Sequence, residues 1–74
     1  MNDKLRAIVS ELFELDPSQI KDELTPEDVD LWDSLNHLRL VTAVEEEFQL
    51  KLSMKEIESI RSLAALRTLI EQRT

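Results

Sequence analysis

Apolar residues recur at spacings of three and four at the start of the chain, where Leu5, Ile8, Val9, Leu12 and Phe13 fall on one face of a helix. Asn2 or Asp3 is placed to cap it. From Leu15 to Asp33 the periodicity disappears. Pro17 and Pro26 punctuate this stretch, and isolated apolar residues (Ile20, Leu24, Val29, Leu31 and Trp32) are interleaved with acids. The pattern predicts a long ordered loop fastened over the helices by those apolar side chains, and a connection of this length in a small domain tends to be functional. Asp33 or Ser34 then opens a second helix that meets no breaker before Phe48. Its core face carries His37, Leu40, Val41, Val44 and Phe48, whereas Leu35, Leu38, Arg39, Thr42 and Glu46 lie outward, so an apolar strip is expected to face solvent. Ser53 with Glu56 three residues on spells a capping box for a short third helix, with Ile57 and Ile60 pointing inward. Ser62 is placed to cap the last helix, whose stripe is Leu63, Leu66, Leu69 and Ile70 and whose Arg73 suits the negative end of the helix dipole.

These elements predict an all-α fold: an irregular antiparallel four-helix bundle, three longer helices and one short, with a long loop after the first helix. Residues 1–74 are expected to form a single domain. Trp32, just ahead of the second helix, can pack against a helix end or lie exposed, and its position in the pattern does not choose. The chain has no glycine, which agrees with helices rather than with hairpins whose turns need positive φ. The absence of cysteine removes disulfide staples, thiolate metal sites and a cysteine nucleophile, and a cytoplasmic location fits it. No run approaches the ~20 apolar residues that span a bilayer, so no membrane insertion is expected. The formal charge of −7 is concentrated in the middle, where residues 14–49 hold eleven acids against Lys21 and Arg39. Such a surface repels nucleic-acid phosphate and favours encounter with basic patches on other proteins.

One histidine, no cysteine and no glycine-rich phosphate loop leave no convergent set of acid, base, nucleophile or metal ligands, so catalysis is not expected. Asp28, Asp30 and Asp33 stand at the alternate positions of a calcium loop, but the loop's glycine is missing and Arg39 stands where the closing glutamate should be. No metal site is expected. His37, three residues past Ser34, reads as a packing residue rather than as the base for a serine nucleophile. What remains is Leu31-Trp32-Asp33-Ser34-Leu35. Ser34 falls at the cap or in the first turn, where unpaired amides and the positive end of the dipole converge and where a phosphodiester is stabilised. For the three residues alone, an ordinary helix cap is the simpler reading.

The longer segment DSLNHLRLVTAVEEEFQLKL resembles the Asp-Ser-Leu attachment motif and second helix of the acyl carrier protein family, with Glu45-Glu46-Glu47-Phe48 at the acidic helix end. The likeness extends over nearly the whole chain. It implies a 4'-phosphopantetheine group, derived from coenzyme A, attached covalently to Ser34 by a phosphopantetheinyl transferase that itself holds the magnesium. Acyl groups then travel as thioesters on the arm of a monomeric carrier, supplied by an acyl-loading enzyme and passed to downstream biosynthetic enzymes. A partner face follows from the same resemblance: Asp33, Leu35, Asn36, Leu38, Arg39, Thr42, Glu45 and Glu46. So does an acyl slot drawn from His37, Leu40, Val41, Val44, Phe48, Ile57 and Ile60, for which an ordinary filled core is the equal alternative. Fatty-acid carriers usually bear acids where this chain has Asn36 and Arg39, and Lys55 stands where the third helix commonly begins with an acid. Altered charge excludes partners, so a specialised pathway is expected, such as polyketide or other secondary metabolism. Two alternatives stand beside it. One is an aminoacyl or peptidyl carrier, although Leu31-Trp32 replaces the Gly-Gly pair common ahead of that serine; the other is an acidic helical adaptor in which Leu35 and Leu38 bind a partner and Ser34 is only a cap.

Overall fold

A computed structural model describes residues 3–73. Four helices follow one another: α1 (Asp3–Phe13), α2 (Ser34–Phe48), α3 (Met54–Glu58) and α4 (Leu63–Arg73). Three are long and one short, with no strand among the described residues, so the expected all-α class is the observed one. Asn2, one of the two residues proposed to cap α1, lies outside the described residues. Asp3 is the first helical residue, where its charge complements the dipole.

The core follows the helical stripes. Leu5, Val9 and Phe13 from α1 meet Leu40, Val41 and Val44 from α2 and Leu63, Leu66 and Ile70 from α4. Burying an aliphatic side chain of this size contributes about 1.5–3 kcal/mol, so these three stripes supply most of what orders the chain. His37 and Phe48, placed on the α2 core face by the pattern, sit half-buried at its two ends. The outward strip is also as expected, with Leu35 58% and Leu38 53% exposed. Helices α1 and α2 each end on a non-glycine residue in the left-handed region, Glu14 at φ 54° and Gln49 at φ 53°. The following amide then reaches back past the turn: Leu15 N–H donates to the Ser10 carbonyl at 3.1 Å and Leu50 N–H to the Glu45 carbonyl at 3.1 Å. A chain without glycine carries this conformation at a cost of about 1 kcal/mol per site.

The segment from Leu15 to Asp33 is a loop, as its lost periodicity implies, but it contains one turn of 3-10 helix at Pro17–Gln19. Three residues are too few for a repeat to register. Asp16 caps this turn by accepting from the Ser18 amide at 2.9 Å and the Ser18 hydroxyl at 2.8 Å. Those bonds, the amide first, hold the Asp16 carboxyl below its ordinary value. Arg6 ties the turn to α1 through bonds to the carbonyls of Pro17 (2.9 Å) and Ile20 (3.1 Å). Ile20, Val29 and Trp32 are buried and Leu24 is half-buried, so four of the five apolar residues act as pegs; Leu31 is 38% exposed and does not. On the far side the loop meets the start of α4, where its own carbonyls accept helix amides: Leu63 N–H to Leu24 O at 3.0 Å and Ala64 N–H to Asp22 O at 2.9 Å. The Asp22 carboxylate adds an ion pair with Arg67 at 3.1 Å. Its charge, with Glu71 one turn along, raises Arg67 above its ordinary value.

At the other end, α3 is closed by both halves of its capping box, Ser53 N–H to Glu56 Oε1 at 2.9 Å and Glu56 N–H to Ser53 Oγ at 3.1 Å. The free oxygen of Glu56 meets Arg73, which also donates to the Lys51 carbonyl at 2.8 Å and so ties the end of α4 to this segment. The Ser53 amide, and next the Arg73 guanidinium, lower the Glu56 carboxyl from its ordinary value. Ile57 is half-buried, and Ile60 is buried two residues beyond the end of α3.

Candidate functional site

The start of α2 is organised by Asp33, not by Ser34. Asp33 is the N-cap in extended backbone, and its Oδ1 accepts from the Asn36 amide at 2.8 Å. Its carbonyl takes the His37 amide at 2.8 Å, and Asn36 Nδ2 donates to the Leu31 carbonyl at 2.7 Å, which binds the loop to the first turn. With the cap supplied by its neighbour, Ser34 occupies the first helical position and is exposed. Among the described residues no acceptor takes the Ser34 or Leu35 amide, and nothing holds the Ser34 hydroxyl. Every other serine hydroxyl is engaged inside the chain. Ser10 Oγ donates to Leu15 O, Ser18 Oγ to Asp16 and Ser59 Oγ to Glu56 O, while Ser53 Oγ and Ser62 Oγ accept helix amides. Thr25, Thr42 and Thr68 are likewise bonded.

Beside Ser34 opens an apolar cleft of about 420 Å³, lined by Ser34 itself with Trp32, His37, Leu38, Met54, Ile57 and Ile60, and with Pro26, Asp33 and Glu58 at its borders. Trp32 resolves its ambiguity by turning inward. It is only 4% exposed and stacks on Phe13 at 5.3 Å between ring centroids. Its indole N–H donates to His37 Nδ1 at 2.9 Å. Because an indole nitrogen can only donate, Nδ1 must accept and the ring proton lies on Nε2, which donates to the Ile57 carbonyl at 3.0 Å. His37 is thus a link between the loop, α2 and α3. It is turned toward Trp32 and Ile57, not toward the Ser34 hydroxyl, and is not a base for it. Of the side chains considered for an acyl slot, His37, Ile57 and Ile60 line the cleft; Leu40, Val41 and Val44 are packed in the core and Phe48 lies at the far end of α2.

A family model for the phosphopantetheine attachment site matches residues 3–70. The chain belongs to that family, the acyl carrier proteins. A solved relative agrees. The fold is similar to the solution structure of a holo acyl carrier protein from Geobacter metallireducens, with a TM-score of 0.84 and 27% identity over 95% of this chain and 80% of that one. The protein is therefore a carrier and not an enzyme, and its cofactor is a covalently attached 4'-phosphopantetheine. Carriers of this kind work with modifying and biosynthetic enzymes.

The α2 start fits such a group on physical grounds. A reachable hydroxyl is needed for the ester, and two open amides at the positive end of a helix favour the phosphate. The Asp33 carboxylate, in the same turn, offsets part of that attraction, so the amides position the phosphate more than they hold it. When attached, the group supplies a terminal thiol on a long arm, which a chain without cysteine does not have. The other residues expected on a partner face divide in two. Leu35, Leu38, Arg39, Thr42 and Glu46 are exposed on one side of α2 and share a shallow groove with Ala43. Asn36 and Glu45 are half-buried and committed within the chain, Asn36 to Leu31 and Glu45 to the Leu52 amide at 2.9 Å. Sequence reasoning did not single out Trp32 as part of the cleft; its proximity to Ser34 was the available signal, but the direction of the ring was not. No helix of the described residues is long and apolar enough to cross a membrane, and no cluster of three or more potential metal ligands occurs among them.

Proposed function

We propose that the Ser34 hydroxyl carries the phosphopantetheine arm and that the chain acts as a single, monomeric carrier of short acyl thioesters in a specialised biosynthetic pathway, such as polyketide or other secondary metabolism. The observation that carries the first part is the hydroxyl census: Ser34 alone among the serines has no partner inside the fold, and it stands at a helix start with open amides. In the loading step a phosphopantetheinyl transferase forms the bond from Ser34 Oγ to phosphorus as the pyrophosphate link of coenzyme A breaks. The hydroxyl proton passes to a base of the transferase, and the adenosine bisphosphate leaves. Incubation with coenzyme A, magnesium and a broad-specificity transferase is expected to add one phosphopantetheine mass, mapped by peptide analysis to Ser34. A gain mapped to Ser10 or Ser18, or no gain at all, defeats the assignment.

The pathway reading rests on charge. Leu35 and Leu38 give the exposed side of α2 an apolar contact surface, and Arg39 beside them places a cation where a basic partner would have to approach. A partner surface that carries an acid opposite Arg39 fits this face, and the basic surfaces that meet acidic carriers do not. Arg39→Glu is expected to raise the kcat/KM of a generic fatty-acid loading enzyme for the loaded carrier by about tenfold, which corresponds to ~1.4 kcal/mol. Unchanged kinetics would show that charge at this position is not the filter.

A further inference from the structure

We infer that the hydrogen-bonded series Trp32, His37 and Ile57 is the floor of the cleft beside Ser34 and limits what a group tethered there can shelter to a short apolar acyl chain. The inference rests on the reading of Ser34 as the attachment residue. Three observations carry it. The series is continuous, from the Trp32 indole to His37 Nδ1 at 2.9 Å and from His37 Nε2 to the Ile57 carbonyl at 3.0 Å, so it joins the loop, α2 and α3 across the cleft. It is backed on the inner side: Trp32 lies flat against Phe13, which is 2% exposed, and the next turns of α2 present Leu40 and Val44 with no accessible surface at all. Neither of those two residues lines the cleft. Third, displacing His37 strands an indole N–H and a backbone carbonyl in largely apolar surroundings, where an unmade hydrogen bond is far more costly than in water.

The cleft above this floor is open and mostly apolar, with Leu38, Met54, Ile57 and Ile60 facing it, so a short acyl chain gains by lying on it. A longer chain gains deeper burial only by displacing this floor. His37 is in this sense a specificity-determining residue that acts through the position of Trp32. The same ring that reads as an ordinary core-face residue in the sequence sets the depth of the site.

The carrier is first loaded with coenzyme A by a transferase and weighed intact; if no arm attaches at Ser34, the attachment reading fails and the floor proposal with it. Loaded samples carrying acyl groups from acetyl to decanoyl are then melted. Each methylene that enters a core raises the melting temperature of a domain this size by several degrees. With the floor in place, melting temperature levels off by hexanoyl, and decanoyl adds less than about 2 °C. His37→Ala opens the floor, and melting temperature climbs from hexanoyl to decanoyl. His37→Gln restores the plateau, because its carboxamide can accept from Trp32 and donate to Ile57. The single Trp32 indole N–H resonance of the unsubstituted carrier decides the matter even if His37→Ala does not fold. It stays in place through decanoyl if chains remain above the floor. A continuous rise in melting temperature through decanoyl in the unsubstituted carrier, with a displaced indole signal, overturns the inference.

Discussion

Helices α2 and α4 both begin beside a serine, and the two starts have been put to opposite uses. At α4, Ser62 Oγ accepts the Ala65 amide at 3.2 Å and the loop carbonyls of Leu24 and Asp22 take the Leu63 and Ala64 amides. Every donor of the first turn that matters is consumed, and the start is a docking point for the loop. At α2 the cap is the preceding Asp33, the loop contributes only the Leu31 carbonyl to the Asn36 side chain, and Ser34 Oγ and the two leading amides have no partner among the described residues. The difference teaches that a serine at a helix start keeps an unengaged hydroxyl when the capping duty falls to its neighbour. An aspartate one residue ahead does that here, and it leaves the hydroxyl with nothing to do inside the fold.

The comparison is broken most severely at Ser34 itself. Ser34→Ala is expected to abolish phosphopantetheine loading completely in an intact-mass assay while shifting stability by less than about 0.5 kcal/mol, because the hydroxyl makes no bond to lose. The loop that presents it comes next. Trp32→Ala removes a ring that is 4% exposed and stacked on Phe13, and about 3–5 kcal/mol of stability should go with it in a denaturant titration. For a chain of 74 residues that is a large share of the total. Ser62→Ala then tests the closed start: about 1 kcal/mol is lost with the cap, and the rate of transferase loading at Ser34 is unchanged. A slowed loading rate would mean that the two starts are not independent.

The smallest expected effect concerns the third start, α3, which its own capping box closes. The folded Glu56 carboxyl is held below the ordinary glutamate value of 4.5 by the Ser53 amide and then by Arg73. A depressed folded value means that the carboxylate contributes stability that is fully present above the ordinary value and is lost as pH falls through the folded one. Glu56→Gln should therefore lower stability at neutral pH and flatten the decline between about pH 5 and about pH 3. Urea midpoints across that range check it, and an unaltered slope would remove Glu56 from the acid response.

Much of this was legible along the chain because it is local. The stripes of α1, α2 and α4, the capping box at Ser53 and Glu56, the cap at Ser62 and the outward pair Leu35 and Leu38 depend on neighbours within four residues, and the helical repeat reports them directly. The turn at Pro17–Gln19 escaped because it is shorter than a repeat, and Leu31 was counted with the loop pegs because an isolated leucine carries no sign of direction. The resemblance put Glu45 on the partner face because no local rule tells that its carboxylate will be spent on the Leu52 amide seven residues on.

The amino-acid sequence by itself determined the helices, the caps of α3 and α4 and the family, and through the family the covalent cofactor. The folded backbone decided which hydroxyl is free: Ser53 and Ser62 are legible as caps, whereas the bonds of Ser10, Ser18 and Ser59 depend on the geometry of a helix end or turn that the helical repeat does not report. It also decided that Trp32 turns inward to meet Phe13 and His37 and that His37 reaches Ile57 twenty residues away. Contacts of that kind are set by packing between segments remote along the chain, where shape and unpaired donors choose among directions that the local pattern leaves equal.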